Sequence, residues 1–469
     1  MNIKQAKSTN RYIQLIKNTF IFGIGTFSQK FLVFLLMPLY THFMTTAEYG
    51  TADLFTNTCN LLGPLVGVGI VQSIVRFALD KEEDKAKVFS SSVVIFLIGY
   101  IAFVLISPLA KFIPSSVPFP KDYLTLLVVF VFTSSFSSVC SEFIRGLQKV
   151  KLYAINGVIS TITIILFTIL FLIHFNMGVN GYILAIVCSD ALSIVFMFIT
   201  AKLWRYITFS TGIKRRMLAY AVPMIPTTIF WWVTQVSDRY LVTGMLGDAA
   251  NGLYAVSNKI PTVMVLVSTI FIYAWQISSV TEDEDKRRSF FSNVFEAYSS
   301  LLFVVSSIVI IFCRPVLDIL VDSNFYDAWH YIPVLVLATT FSCFVSFFGT
   351  IYMLYKKSTH AMWTTLAGAA LNVVLNLFLI PWIGIQGSAI ATFASYFIIF
   401  IIRAIDERSF LNFHWSKVKT LACSLLIIAQ AVLMVKEIHG WIIYSGIIIL
   451  LLFVINGRVL KNSFLQLKS

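Results

Sequence analysis

Ser237–Pro261 reads SDRYLVTGMLGDAANGLYAVSNKIP, a charged, glycine-broken turn set between two hydrophobic spans. A version of it occurs upstream. Pro38–Leu54 reads PLYTHFMTTAEYGTADL, and a shift of 202 positions brings Ala47 and Gly50 onto Ala249 and Gly252. Two further matches lie at nearly the same offset. Asp84–Val93 (DKAKVFSSSV) falls on Asp285–Val294 (DKRRSFFSNV), with Phe89/Phe290, Ser91/Ser292 and Val93/Val294 identical. Met177–Gly181 (MGVNG) falls on Ile383–Gly387 (IGIQG). The chain therefore reads as one half written twice.

Composition sets the class. The chain is 58% hydrophobic and 12% charged, with a mean hydropathy of +0.85, whereas a soluble domain carries about 25% charged residues. Apolar runs long enough to cross roughly 30 Å of hydrocarbon as helices recur throughout. They fall near residues 16–38, 53–76, 88–110, 122–144, 153–174, 181–202, 218–241, 253–276, 290–312, 331–354, 361–380, 386–404, 418–435 and 440–457. This predicts an all-α, polytopic membrane protein of fourteen helices. The start does not read as a cleavable signal, because the first apolar run is too long and lacks a small-residue cleavage site. The six cysteines have neither metal-like nor disulfide-like spacing and read as small core residues.

Charge placement tests the count, since one missed span would scramble the alternation. With the N-terminus inside, 28 of the 35 Lys and Arg fall on the cytoplasmic side. The outer loops hold Lys111, Lys121, Arg314 and Lys436, and three cations lie within spans. The net charge of +13 is then mostly this bias facing anionic lipid, with no call for a nucleic-acid partner. Each repeat holds six spans. Because six is even, both copies enter from the same side and should be related by an axis along the membrane normal. The expected organisation is an N-terminal lobe over 1–205, a C-terminal lobe over 206–405, and two extra helices with a cytoplasmic tail over 406–469. Two lobes sharing a central cleft are the expected shape.

Charges inside spans are the functional candidates, because each costs about 2.5–3.5 kcal/mol at the bilayer centre and should face a partner or a watery cavity. Lys30, Arg239 and Lys259, with Arg76 at the end of the second span, fall on the first two helices of each copy and would line the cleft with cations. Local readings stand beside this one. Arg239 can snorkel or pair with Asp238, Lys259 can pair with Asp53 as a gate, and Arg76 can be an ordinary positive-inside residue. Glu142 is expected to pair with Arg145 and Asp190 with nearby basic residues, with ion coupling as the alternative role for both, and Glu296 to serve structure. Asn372 and Asn376, four apart on one face, are expected to hydrogen-bond a neighbouring helix. Pro64, Pro223, Pro226 and Pro261 interrupt three of the cleft helices and read as hinges. No Walker loop, HExxH or serine elbow is present, and the histidines lack ligand spacing, so neither an enzyme nor a metal site is expected.

The run from Leu371, LNVVLNLFLIPWIGIQGSAIATFASY, resembles a helix 11–12 signature, and Asp238–Tyr240 followed by GLYAVSNKIP resembles a helix 7–8 region. PLYTHFMTTAEYG resembles a helix 1–2 turn of the same family. That family is the Wzx-type polysaccharide-transporter branch of the multidrug/oligosaccharidyl-lipid/polysaccharide exporter superfamily. Departures are small: Ile383 stands where an aromatic is commoner, and Ser388 replaces a usual alanine. The resemblance covers essentially the whole chain and implies the 6+6+2 layout. It implies a flippase that moves undecaprenyl-diphosphate-linked oligosaccharide repeat units, by alternating access, across the bacterial cytoplasmic membrane for O-antigen, capsule or related polymers. Membrane lipids, a polysaccharide polymerase and chain-length machinery are the implied partners. No cofactor is implied; the drive would be H+ or Na+ coupling or the membrane potential. Rival readings are a cation-coupled drug antiporter on the same fold, which favours carboxylates in the cleft, and a membrane polymerase or ligase, which favours a larger outer loop.

Overall fold

A computed structural model describes residue 34 and residues 36–466, apart from 81, 115–116, 209–211, 282–283 and 356. It is helical, with no strand among the described residues. Two compact units divide the chain, Met1–Trp232 and Val233–Ser469.

In the first unit, α1 (Thr46–Val66) starts on a capping box. Glu48 N donates to Thr45 Oγ1 at 3.2 Å, and Thr45 N donates to the Glu48 carboxylate at 2.8 Å, satisfying amides that a helix start otherwise leaves open. Gly67–Gly69 then breaks the helix, with Val68 at φ 50° and Gly69 at φ 65°, and α2 (Ile70–Leu79) leaves at 57° to α1. Asp84 caps α3 (Lys85–Ile106) by accepting from Ala86 N at 2.9 Å. Then follow α4 (Leu124–Gly146), α5 (Val150–Thr168), prolonged by a π turn over Ile169–His174, and α6 (Gly178–Ala201). The short α7 (Lys214–Ala221) leads through a 3-10 turn at Val222–Met224 into α8 (Ile225–Leu246). The core of this unit gathers Ile74, Phe89, Phe143, Met197 and Met217 from α2, α3, α4, α6 and α7.

The second unit holds the rest of α8, then α9 (Asp248–Thr281), α10 (Glu284–Leu320), a 3-10 turn at Ser323–His330 and α11 (Ile332–Leu354). It continues with α12 (Ser358–Ile383), α13 (Ile385–Asp406), α14 (Lys417–Val435) and α15 (Trp441–Gln466). Buried along most of its length, α11 sits at the centre. Rings of Trp275, Phe291, Phe295, Phe347, Phe348 and Phe413 pack edge to face, stacked or tilted around its C-terminal half. Such pairs add about 0.5–1.5 kcal/mol each beyond the area they bury.

Every expected span from the second onward has a helix at its place; the first lies almost wholly outside the described residues. Ten helices among the described residues are long and apolar enough to cross a membrane, or eleven if the bent pair α1–α2 counts as one span. α8 and α9 stand at the seventh and eighth expected spans and lie outside that count. Their exteriors fit lipid: Ile98, Ile101 and Leu105 on α3, and Ile443, Leu450 and Val454 on α15, are all exposed. The division into units falls inside α8 rather than at residue 205, because α7 packs on α2 and Trp232 Nε1 donates to the Asn57 carbonyl on α1 at 3.0 Å. The last two helices belong to the second unit.

Candidate functional site

The turn between α8 and α9 centres on Gly247, at φ 90°. An antiparallel hairpin folded there brings residue 238, nine positions before the glycine, opposite residue 254, seven positions after it. Asp238 is 4% exposed, and Tyr254 Oη donates to its Oδ2 at 2.5 Å. Two more helices close round that oxygen. Thr392 of α13 reaches Asp238 Oδ2 at 3.4 Å and also donates to the Ser388 carbonyl at 3.0 Å. From α12, Asn372 Nδ2 approaches Thr392 Oγ1 at 3.4 Å, while Ser237 Oγ approaches Asn372 Oδ1 at 3.4 Å. Asn376 Nδ2 donates back to Asn372 O at 2.9 Å and to its Oδ1 at 3.0 Å. The other carboxylate oxygen, Oδ1, accepts from Arg239 N at 2.9 Å. Several members sit at the long limit of hydrogen bonding, so the Tyr254 bond is the strong one.

A single carboxylate ringed by hydroxyl and amide groups can hold a proton or a small monovalent cation, and it lacks the several anionic ligands that a divalent metal takes. At the corresponding positions the first half of the sequence carries apolar residues instead. At the repeat offsets, Asp238 and Tyr254 fall on Leu36 and Ala52, and Asn372, Asn376 and Thr392 fall on Leu166, Leu170 and Ile186. The polar cluster is private to the second copy.

The sequence-derived candidates are distributed as follows. Lys30 lies outside the described residues. Arg239 is half-buried, one residue past Asp238 on α8, and Lys259 is half-buried on α9, about one turn farther from the hairpin tip. Arg76 is exposed in the last turn of α2, its guanidinium 5.1 Å from the Tyr220 ring centre. Asp53 is buried in α1, and Asn57 Nδ2 donates to its Oδ2 at 3.1 Å. Glu142 pairs with Arg145 at 2.7 Å, and Glu296 with Lys419 at 2.9 Å. Asp190 has no hydrogen bond or ion pair among the described residues. Pro64 sits within α1 and the break comes three residues later, at the glycines; Pro223 lies in the 3-10 turn and Pro226 in the first turn of α8. Only Pro261 stands well inside its helix, α9.

Sequence reasoning singled out Asp238 and the two asparagines but missed Tyr254 and Thr392. The signal for Tyr254 was partial, since it lies seven residues past Gly247 whereas Asp238 lies nine before it. Thr392 needs the packing of α13 and carries no signal of its own.

A family model described as "Polysaccharide biosynthesis protein" matches residues 15–276. An uncharacterized membrane protein of Methanocaldococcus jannaschii is 22% identical over 379 residues, covering 76% of this chain and 71% of its own length. Among solved structures, the lipid II flippase MurJ in an inward closed conformation superposes with a TM-score of 0.72 at 14% identity, over 95% of this chain and 100% of that one. An inward-facing multidrug resistance MATE family transporter gives 0.65 at 13% identity, over 83% and 95%.

Proposed function

The chain belongs to the polysaccharide biosynthesis protein family of the multidrug/oligosaccharidyl-lipid/polysaccharide exporter superfamily, and from that premise we propose that it flips a lipid-diphosphate-linked oligosaccharide between leaflets of the bacterial cytoplasmic membrane. The observation that carries this reading is the charge kept inside the bundle. Arg239 and Lys259, both half-buried, lie on the two arms of the α8–α9 hairpin about one turn apart in depth, and Lys30 belongs to the same sequence pattern. A cation held in a spanning segment is costly unless it serves an anion or a watery path. A diphosphate headgroup is such an anion. The fixed cations replace part of its water while the sugars stay hydrated and the polyprenyl tail stays in lipid.

No covalent bond is made or broken in this transfer, so the drive is physical. In a membrane negative inside, outward passage of each negative charge gains about 2.3 kcal/mol per 100 mV. The Asp238 cluster offers a second source, since a proton or Na+ taken up there from one side would link its gradient to the cycle. A surface polysaccharide polymerase and its chain-length machinery would receive the product.

The test is flipping of a lipid-diphosphate disaccharide in proteoliposomes under an imposed potassium-diffusion potential. Arg239→Gln and Lys259→Gln should each slow flipping at least tenfold with protein level unchanged, and reversing the potential should lower the rate. Normal flipping by both variants would overturn the cationic path. A rate indifferent to the potential would remove the electrical drive and leave Asp238→Asn, with its dependence on proton or Na+ gradients, to decide the coupling.

A further inference from the structure

Two helix breaks of the first unit touch each other. One is Gly67–Gly69, between α1 and α2; the other is Val222–Met224, between α7 and α8. Gly69 lies so near the second break that a Cβ placed on it would stand 2.9 Å from the Ala221 carbonyl oxygen and 3.1 Å from Ile225 Cγ1. From the other side, a Cβ on Gly99 of α3 would stand 2.0 Å from the Val66 carbonyl oxygen. Glycine is required at both places for the backbones to meet.

Away from the breaks, α2 is fastened to α7. Arg76 lies over the Tyr220 ring and Phe77 meets its edge, with centroids 6.3 Å apart. Beyond the end of α2, Glu83 takes both terminal nitrogens of Arg216 at 2.8 and 3.0 Å. On its opposite flank α2 meets α4 through Gly146, where a Cβ would fall 2.4 Å from Ala78 Cβ. That contact is apolar, with Ile70, Ile74 and Ala78 buried against Val139, Phe143 and Ile144, and no polar bond crosses it among the described residues.

The first break keeps its backbone satisfied while bent. Gly67, Val68 and Gly69 donate to the carbonyls of Gly63, Leu65 and Pro64 at 2.9, 3.1 and 2.8 Å. At the second, Pro223 and Pro226 have no N–H to donate, and the Val222 carbonyl is instead taken up by Ile225 N in a 3-10 bond. Both breaks can thus change angle without exposing a newly broken ladder to lipid.

We infer that α2 and α7 form one rigid block that swings about the two abutting breaks, opening and closing the basic end of the first unit. The pivot is Gly67–Gly69 against Ala221–Ile225, and the handle is the pairing of Arg76, Phe77 and Tyr220. The prolines of α8 then serve the swing, whereas Pro64 does so only by supplying the carbonyl that Gly69 binds. The inference rests on the reading that the chain alternates between two states, and not on which molecule it carries.

The test uses the full chain in lipid nanodiscs, with pulsed electron-spin distance measurements and no substrate. One label pair, Asn60 and Gln72, spans the first break; another, Gln72 and Arg215, lies within the block, and all three positions are exposed. The pair across the break should show two populations, and the pair within the block one narrow peak. Gly69→Ala, which presses on the Ala221 carbonyl, should shift the first pair toward a single population. Should that variant fail to fold, Val68→Gly, which relieves a non-glycine residue at φ 50°, should broaden the same distribution. A single narrow Asn60–Gln72 peak, unchanged in both variants, would overturn the hinge. So would a Gln72–Arg215 distribution as broad as the one across the break. Neither result touches the flippase reading, and failure to flip a lipid-diphosphate sugar would leave these distances as they are.

Discussion

Tyr254 carries the best-formed bond to Asp238, and its loss should be felt in stability before transport is considered. Hydrogen bonds to charged groups are worth about 1.5–3 kcal/mol. Tyr254→Phe should destabilise the protein by an amount of that order, read as a lower midpoint of thermal unfolding in detergent, while Thr392→Ala, whose contact to the carboxylate is a long one at 3.4 Å, should cost less. Equal effects would mean that the hydroxyls share the carboxylate evenly. A second residue-scale prediction concerns glycines. A Cβ on Gly387 would lie 2.5 Å from the Leu379 carbonyl, whereas one on Gly446 meets nothing within 4 Å. Gly387→Ala should cost about 1–3 kcal/mol by overpacking. Gly446→Ala, mid-helix, should be neutral or stabilising by roughly 0.5–1 kcal/mol. Denaturation of the two variants side by side checks the contrast.

At the scale of elements, the last two helices are clasped to α10 at three heights. Glu296 takes Lys419 near one end, Gln430 Nε2 donates to the Ser307 carbonyl at 3.0 Å in the middle, and Arg314 pairs with Glu437 near the other. Arg314 also lies over the rings of Trp329 and Trp441. The hydrogen bond from Arg314, helped by its charge, holds the Glu437 carboxyl below its ordinary value of 4.5. A carboxylate whose folded pKa is depressed contributes stability that is fully present above its unfolded pKa and disappears as pH falls through the folded value. The unfolding temperature of wild type should therefore exceed that of Glu437→Gln by a constant amount from pH 8 down to about 4.5, the ordinary value, and the two should converge only below it. Convergence already at pH 6 would refute the pairing. The hairpin α8–α9 shows what elements add to residues. Asp238 and Tyr254 are sixteen apart in the chain, and only the turn at Gly247 makes them partners.

For the whole molecule, the prediction is topological. The split of basic residues puts Asp248 and Asn324 on one side of the membrane and Glu82 on the other, and all three are exposed. Single cysteines at Asp248 and Asn324 should react with an impermeant maleimide added to intact cells, and one at Glu82 should react only after the cells are opened. Labelling at Glu82 in intact cells would break the alternation.

Much of this was legible in the chain itself. Long apolar runs bounded by lysine and arginine place a helix at every expected span that the described residues cover, because a backbone in lipid must satisfy its own hydrogen bonds and a helix does so locally. Likewise, Glu142 with Arg145 follows from helical spacing. The break in the second span was not placed correctly by its proline. The bend lies at Gly67–Gly69, since a proline inside a helix can be accommodated while positive φ at Val68 and Gly69 ends the helix outright. What only the tertiary structure decided is which distant polar groups meet: Thr392 and Asn372 with Asp238, Gln430 with Ser307, Tyr220 with Arg76. The physical reason is that hydrophobic spans specify where helices run, yet their apolar surfaces are nearly interchangeable in lipid. The choice of neighbour therefore falls to close glycine contacts and to scattered polar groups, whose partners lie far away in sequence.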